Sequence, residues 1–169
     1  MTEPKRRKAL RHDPNILRLA QESRHEVTLQ RRAGPEIRGT MDLTDFTDVP
    51  LLSDMTDDEL ANVAAHFTEV HVRSGDALTH EDEYGATFYI VLDGQVRVKI
   101  HDEAVVDLGP GDHFGEVALV TGERRNATVK AIDSCRLAKM MGWDFAELLV
   151  KNPALADRIR TAAENRLRD

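Results

Sequence analysis

The sequence of 169 residues has one cysteine, few aromatic side chains and no long apolar run. With Cys135 alone no intrachain disulfide can form, which is typical of a reducing compartment and predicts a cytoplasmic protein. No stretch approaches the ~20 apolar residues of a membrane-spanning helix. The basic residues at the start are not followed by the apolar segment of a secretory signal. Cys135 is interpreted as a small core residue of a strand.

Familiar motifs of catalysis are also missing from the sequence. Seven histidines occur, but none shows the H-x-H or H-E-x-x-H spacing of a metal-binding cupin or a zinc hydrolase. Neither a G-x-S-x-G nucleophile turn nor a G-x-x-x-x-G-K-[ST] phosphate loop is found. We therefore expect no enzyme activity, no metal site and no cofactor.

Charge is distributed unevenly along the chain, whose net charge is −7. Residues 1–40 carry ten Lys/Arg against five Asp/Glu, whereas the remainder carries thirteen against twenty-five. The acidic body is a poor surface for nucleic acid, so a nucleic-acid partner is not expected. The basic arm is interpreted either as a solvated tail or as an adaptor for nucleic acid or anionic lipid.

Composition divides the chain into two parts. Asp13 is placed to cap a predicted helix over residues 14–32, and the acidic segment 38–48 is interpreted as a linker. We therefore predict an extension over residues 1–46 and one folded domain over residues 47–169.

Short apolar runs dominate the predicted domain. Seven runs of β type lie between residues 70 and 141 and are separated by turn signals, a pattern typical of an antiparallel jelly roll or barrel. Asp93-Gly94 predicts a hairpin between two of these runs. Thr56 and Glu59 form a capping-box pattern before a helix, and Asn152-Pro153 separates two C-terminal helices. The predicted fold is mainly β with flanking helices: a β-roll with an N-terminal helix, a short helix near residue 116 and two C-terminal helices.

The window over residues 114–129 carries the chemistry. Gly115 can adopt a positive φ, and the residues after it can form one helical turn whose first N–H groups attract an anion. Arg125 supplies a planar fork that matches two phosphate oxygens. Glu116 can accept a hydrogen bond from a sugar hydroxyl. The spacing alone leaves two interpretations open: a site for a phosphorylated sugar, and an internal salt bridge between Glu116 and Arg125.

This window resembles the phosphate-binding cassette of the cyclic nucleotide-binding domain family. That family includes protein kinase A regulatory subunits, cyclic-nucleotide-gated channels and the bacterial catabolite activator. The resemblance rests on Phe114-Gly115-Glu116-Val117-Ala118-Leu119 and on Arg125-Asn126-Ala127-Thr128-Val129. It extends through FYIVLDGQVRV and VVDLGPGDHFGE and covers roughly residues 47–169.

The resemblance implies roles for individual residues. Arg125 is expected to bind the cyclic phosphate and Glu116 the ribose 2′-hydroxyl, with backbone N–H groups near Ala118 and Ala127 completing the phosphate cradle. The expected cassette contacts are Phe114, Gly115, Glu116, Val117, Ala118, Arg125, Asn126 and Ala127.

Residues outside the cassette are implied for the base. Val98, Val106 and Leu108 take the positions that line the base pocket, although plain barrel core is an equal interpretation. Arg166 takes the position of an arginine that contacts the purine in some channels, and the alternative is a solvated helix end.

Asn126 leaves the choice of nucleotide open, because its amide can both donate and accept. Cyclic AMP is favoured over cyclic GMP as the ligand. No DNA-reading helix-turn-helix appears before Asp169, so we expect a stand-alone sensor in which the helix over residues 154–167 moves and signals through a protein partner or self-association. The alternatives are an interaction module of the same fold that no longer binds nucleotide, and an adaptor acting through the basic arm.

Overall fold

The short apolar runs of the sequence form nine strands in the computed structural model, which describes residues 36–37 and 41–168. The helix predicted over residues 14–32 lies outside the described residues. All seven predicted runs are strands; two strands of two residues each were not predicted, because such short segments show no alternation. The strands are β1 (Glu36–Ile37), β2 (Thr68–Val72), β3 (Ala77–Thr79), β4 (Thr87–Asp93), β5 (Val96–Ile100), β6 (Glu103–Leu108), β7 (His113–Phe114), β8 (Thr128–Ala131) and β9 (Cys135–Met141).

The strands form two antiparallel sheets, as expected for a jelly roll. The first sheet has the order β1-β2-β9-β4-β7, and the second has the order β3-β8-β5-β6. Side chains of β4 alternate between two layers of core: Phe88 and Ile90 belong to a cluster shared with the helices, while Tyr89 and Val91 belong to a cluster with residues of the second sheet. The first sheet is therefore covered on both faces at β4, which explains the unbroken apolar run of this strand.

The hairpin predicted at Asp93-Gly94 is wrong. Strand β4 pairs with β9 and β7, whereas β5 pairs with β6 and β8, so the chain crosses from one sheet to the other at this turn. Both sides of β4 are already occupied, and β5 has no free edge to join there. Gly94 has a φ of +82°, and a Cβ at that position would lie 2.6 Å from the carbonyl oxygen of Ser134. The sequence correctly predicted a turn at Asp93-Gly94, but this turn connects strands of two different sheets.

Four α-helices complete the fold of the described residues. Helix α1 (Asp57–Ala64) begins at the predicted capping box of Thr56 and Glu59. Helix α2 (Glu116–Thr121) follows β7, and the C-terminal pair is α3 (Gly142–Lys151) and α4 (Pro153–Arg168), which meet at the predicted break. Helix α4 packs against α2 as well as α3. None of the helices in the described part of the chain combines the length and apolar character needed to cross a bilayer.

The acidic segment predicted as a linker contributes to the core. Its residues Leu43–Phe46 form a 3-10 helix with a capping box at Asp42. Phe46 is 1% exposed, and its ring lies 5.1 Å from that of Phe67, while Met41 is also buried. The acidic side chains that suggested a linker therefore lie in a segment whose residues Met41 and Phe46 are buried in the core.

We expect Phe46→Ala to lower the free energy of unfolding by about 3–4 kcal/mol, because it leaves a cavity in the helix-side core. Val105→Ala is the matched control: Val105 is 54% exposed, and its removal should change stability by less than about 0.5 kcal/mol. Urea unfolding of both variants measures the difference. Equal stabilities would show that the segment before residue 47 is dispensable for the core.

Candidate functional site

Gly115 makes the turn that joins β7 to α2. Its φ is +93°, as the sequence predicted, and helix α2 starts at the next residue with no side chain capping it. A Cβ at Gly115 would lie 2.6 Å from the carbonyl oxygen of Thr87 and 2.9 Å from Nη1 of Arg125. Both the conformation and the close packing therefore require glycine here.

Arg125 lies behind this turn and is almost fully buried, at 5% exposure. Its Nη1 donates to the carbonyl oxygen of Gly115 at 2.8 Å. Its Nη2 donates to the carbonyl oxygen of Thr87 at 2.8 Å and to the Thr87 hydroxyl at 3.0 Å. The guanidinium is thus fixed between the turn and the start of β4, in a defined orientation.

Glu116 is fully buried at the first position of α2. Its Oε1 accepts a hydrogen bond from Nη1 of Arg166 at 2.6 Å, and the two side chains form an ion pair. Its Oε2 is buried and has no hydrogen-bond partner among the described residues. Burial raises the pKa of the Glu116 carboxyl, and the positive charge of Arg166 opposes that shift.

The ion pair of Glu116 bears on one interpretation of the sequence, the internal salt bridge between Glu116 and Arg125. The carboxylate of Glu116 pairs with Arg166, and the side chain of Arg125 donates hydrogen bonds to Gly115 and Thr87. Arg166 lies in the last turn of α4 and also donates from Nη2 to the carbonyl oxygen of His113 at 2.7 Å. It is therefore anchored in the site and is not a solvated helix end.

The other cassette residues surround this group. Phe114 is buried, and its ring stacks on Tyr89 with centroids 4.9 Å apart. Val117, Ala118 and Ala127 are buried, and Asn126 is half-buried.

The three aliphatic residues implied for the base behave differently from one another. Leu108 is buried in the core between the sheets, Val98 is half-buried against that core, and Val106 is 47% exposed. Val98 and Val106 face each other across the β5–β6 pair. Leu108 therefore fits barrel core, while Val106 offers an apolar surface that the core does not use.

Three residues near the site were not identified from the sequence. Gly85 and Thr87 touch Arg125, and His113 touches Arg166 through its carbonyl oxygen. Each contact joins segments far apart in the chain, and no local pattern reveals it. The imidazole of His113 lies 5.8 Å from the ring of Phe88, and its buried Nε2 has no partner among the described residues.

Metal and thiol chemistry find no support in the described residues. They contain no group of three or more His, Cys, Asp or Glu side chains that could hold a metal ion. Cys135 is buried at the start of β9, as predicted, and its Sγ lies 3.2 Å from the carbonyl oxygen of Gln95. Burial raises the pKa of its thiol to about 11, which leaves it in the unreactive thiol form.

Comparison with known proteins gives a match to one family model, described as cyclic nucleotide-binding domain, over residues 69–152. A cyclic nucleotide-gated potassium channel of Rhizobium etli is 33% identical over 119 residues, which cover 70% of this chain and 33% of the channel. The chain spans about a third of the length of the curated relatives it matches first.

Solved structures share the architecture. The regulatory domain of Toxoplasma gondii PKA, crystallised with cAMP, aligns with a TM-score of 0.66 at 26% identity, covering 73% of this chain and 48% of that chain. The regulatory subunit of a cAMP-independent protein kinase A from Trypanosoma brucei aligns with a TM-score of 0.66 at 25% identity, covering 72% and 46%. The same fold thus occurs in a protein solved with cAMP and in one described as independent of it.

The environment of His113 predicts a loss of stability in acid. Burial, with a smaller effect from the charge of Arg166, lowers the pKa of His113 from 6.5 to about 4. The unfolded chain takes up this proton first, so the stability is present above about pH 6.5 and is lost as the pH falls toward 4. The loss should reach ~3 kcal/mol.

His113→Phe keeps a ring beside Phe88 and removes the titration. Urea unfolding at pH 7 and at pH 4.5 should therefore show a smaller decrease for this variant than for the natural protein. Equal decreases would show that His113 is not the group that takes up the proton.

Proposed function

This chain belongs to the cyclic nucleotide-binding domain family, and on that premise we propose that it binds a cyclic nucleotide through Glu116 and Arg125. The observation that carries the proposal is the carboxylate of Glu116, whose Oε2 is buried without a donor among the described residues. A buried charged oxygen left without a hydrogen bond is costly, and such atoms usually serve a ligand or a switch. A ribose 2′-hydroxyl supplies the missing donor.

The phosphate end of the ligand is assigned to Arg125. A guanidinium held in a fixed direction binds two oxygens of a phosphodiester with little loss of side-chain freedom. Backbone N–H groups near Ala118 and Ala127 are the further donors in this proposal. Glu116 and Arg125 then recognise two different parts of one ligand, a sugar hydroxyl and an anionic phosphate, which explains why a carboxylate belongs in an anion site.

The base is assigned to an apolar surface on the β5–β6 pair. Val106 and the half-buried Val98 supply that surface, and the guanidinium of Arg166 supplies a planar group from α4. Cyclic AMP remains the favoured nucleotide and cyclic GMP the less favoured one. Asn126, half-buried next to Arg125, can donate to or accept from either purine.

Movement of helix α4 is the proposed output. Arg166 holds the helix to Glu116 and to the carbonyl oxygen of His113, so any ligand that takes over the carboxylate changes the anchoring of the helix. A ligand can shift this equilibrium only by its different affinity for the two positions of the helix. A protein partner or a second copy of the chain would bind differently to the two positions of helix α4.

A second candidate is an interaction module of the same fold that does not bind cyclic AMP. The Trypanosoma brucei regulatory subunit, described as cAMP-independent, makes this candidate specific. The two proposals differ in one measurement, the binding of nucleotide to the purified protein. An adaptor acting through the basic residues 1–32 would instead show binding that weakens steeply with added salt.

Isothermal titration with cyclic AMP and cyclic GMP tests the site directly. We expect Arg125→Ala to weaken binding roughly tenfold to a hundredfold, because a hydrogen bond to a charged group is worth ~1.5–3 kcal/mol. Arg168→Ala is the matched control, since Arg168 is an exposed arginine outside the cassette. Glu116→Gln should weaken cyclic AMP more than 2′-deoxy cyclic AMP, which lacks the hydroxyl.

Binding of both nucleotides that survives Arg125→Ala and Glu116→Gln unchanged would overturn the site assignment. An absence of binding by the natural protein would favour the interaction module.

Hydrogen exchange tests the movement of α4. Cyclic AMP should change the exchange of amides in the last turns of the helix, and Arg166→Gln should speed their exchange in the ligand-free protein because both anchoring bonds are lost. Arg168→Gln removes a neighbouring exposed arginine and should leave exchange unchanged. Identical exchange with and without nucleotide in a protein that binds it would contradict the proposed output.

A further inference from the structure

The guanidinium of Arg125 lies directly against Gly85, in the loop before β4. A Cβ at Gly85 would be 1.7 Å from Nε and 2.1 Å from Cζ of Arg125, and the three nearest atoms all belong to that side chain. Heavy atoms that are not bonded to each other do not approach so closely. The absence of a side chain at Gly85 therefore makes the space in which Arg125 lies.

The backbone of Gly85 does not require glycine for its own conformation. Its φ lies outside the left-handed region, in contrast to Gly115 at +93°. An alanine at Gly85 is thus compatible with the local chain, and only the contact with Arg125 opposes it.

The same loop holds Arg125 at two other points. Thr87 accepts from Nη2 through both its carbonyl and its hydroxyl oxygen, at 2.8 and 3.0 Å. The main chain is fixed as well: Asp82 donates its N–H to the carbonyl oxygen of Arg125 at 2.9 Å, and Arg125 donates its N–H to the carbonyl oxygen of Glu83 at 2.8 Å. The segment Asp82–Thr87 therefore sets both where Arg125 leaves the chain and where its guanidinium ends.

We propose that Gly85 and Thr87 are positioning residues for the phosphate-binding arginine, which rests on the proposed function. Neither residue needs to touch the ligand. Gly85 leaves room for the guanidinium, and Thr87 fixes the direction of its fork. A fork that is already oriented binds an anion without the cost of ordering a long flexible side chain.

This arrangement predicts a loss of affinity in a domain that still folds. In Gly85→Ala the methyl group meets Cδ, Nε and Cζ of Arg125, so this side chain must move away. The guanidinium is then displaced and gives up its three hydrogen bonds to Gly115 and Thr87. We expect Gly85→Ala to weaken cyclic AMP binding about tenfold or more, while thermal unfolding still shows a folded domain.

Gly109→Ala is the matched control for the glycine. A Cβ at Gly109 meets nothing within 4 Å, and its φ also lies outside the left-handed region. Cyclic AMP affinity should not change in this variant.

The threonine supplies a second, independent pair. Thr87→Val removes the hydroxyl and keeps the shape, and it should weaken binding roughly threefold to tenfold. Thr87→Ser keeps the hydroxyl and should bind as the natural protein does. If Gly85→Ala fails to fold, the comparison of Thr87→Val with Thr87→Ser still tests whether this segment positions Arg125.

Two readouts separate positioning from general damage to the domain. With 2′-deoxy cyclic AMP the fold-losses of Gly85→Ala and Thr87→Val should persist, because they act at the phosphate end, whereas the loss of Glu116→Gln should shrink. The Nε–H resonance of Arg125, identified by its loss in Arg125→Lys, should shift in Gly85→Ala and Thr87→Val without any ligand. It should stay in place in Gly109→Ala and Thr87→Ser.

The outcomes distinguish the two proposals. An unmoved Arg125 resonance, or a moved resonance with unchanged affinity for cyclic AMP, would overturn the positioning role. A natural protein that binds neither cyclic nucleotide, while the resonance moves as expected, would overturn the proposed function and leave the placement of Arg125 by this loop intact.

Discussion

The ion pair between Glu116 and Arg166 connects the C-terminal helix to the loop that carries the site. It places a carboxylate with no solvent exposure against a guanidinium at the end of α4, at 2.6 Å. Removing a carboxylate from water is unfavourable, and one hydrogen bond from Arg166 offsets only part of that cost, since Oε2 has no partner among the described residues. The pKa of Glu116 is raised for the same reason, because the effect of burial exceeds the opposing effect of the positive charge of Arg166. A contact of this kind holds the helix in place while leaving the carboxylate able to gain from a better partner.

Arg125 represents the opposite solution to the same problem. Its charge is also buried, but its fork donates three hydrogen bonds, one to the carbonyl oxygen of Gly115 and two to the oxygens of Thr87. The two charges of the loop therefore differ in what they can do. Arg125 is fixed in direction by groups that belong to β4 and to the turn, whereas Glu116 is tied to Arg166 at the end of α4. Under the proposed function, this difference separates a fixed part of the site from a part that moves.

Features that depend on contacts within a few residues could be predicted from the sequence, whereas features that depend on contacts between distant segments could not. Gly115, the helical turn after it and the capping box at Thr56 are set by neighbours within a few residues, and the sequence predicted them. The crossing at Gly94 has the local chemistry of a hairpin, and only the strands that occupy both sides of β4 exclude one. Phe46 was assigned to a linker because acidic neighbours hide one inward side chain. Gly85 and Thr87 lie about 40 residues before Arg125, and no sequence pattern around them predicts their contact with Arg125. The position of Arg166 came from family resemblance, and its bond to Glu116 depends on how α4 packs on α2.

Access to Glu116 constrains how a ligand can reach it under the proposed function. Its Oε2 is enclosed, so a ribose hydroxyl cannot meet that oxygen in the arrangement described. Arg166 donates one hydrogen bond to Oε1 of the same carboxylate and another to the carbonyl oxygen of His113 in the preceding strand. Either α2 or the end of α4 must therefore shift before the sugar can bind. Under the proposed function, binding and helix movement are coupled, because Arg166 of the helix holds the same carboxylate that recognises the ligand. The affinity for the nucleotide under the proposed function includes the work of releasing Arg166, so a variant that weakens this anchor lowers the cost of opening the site.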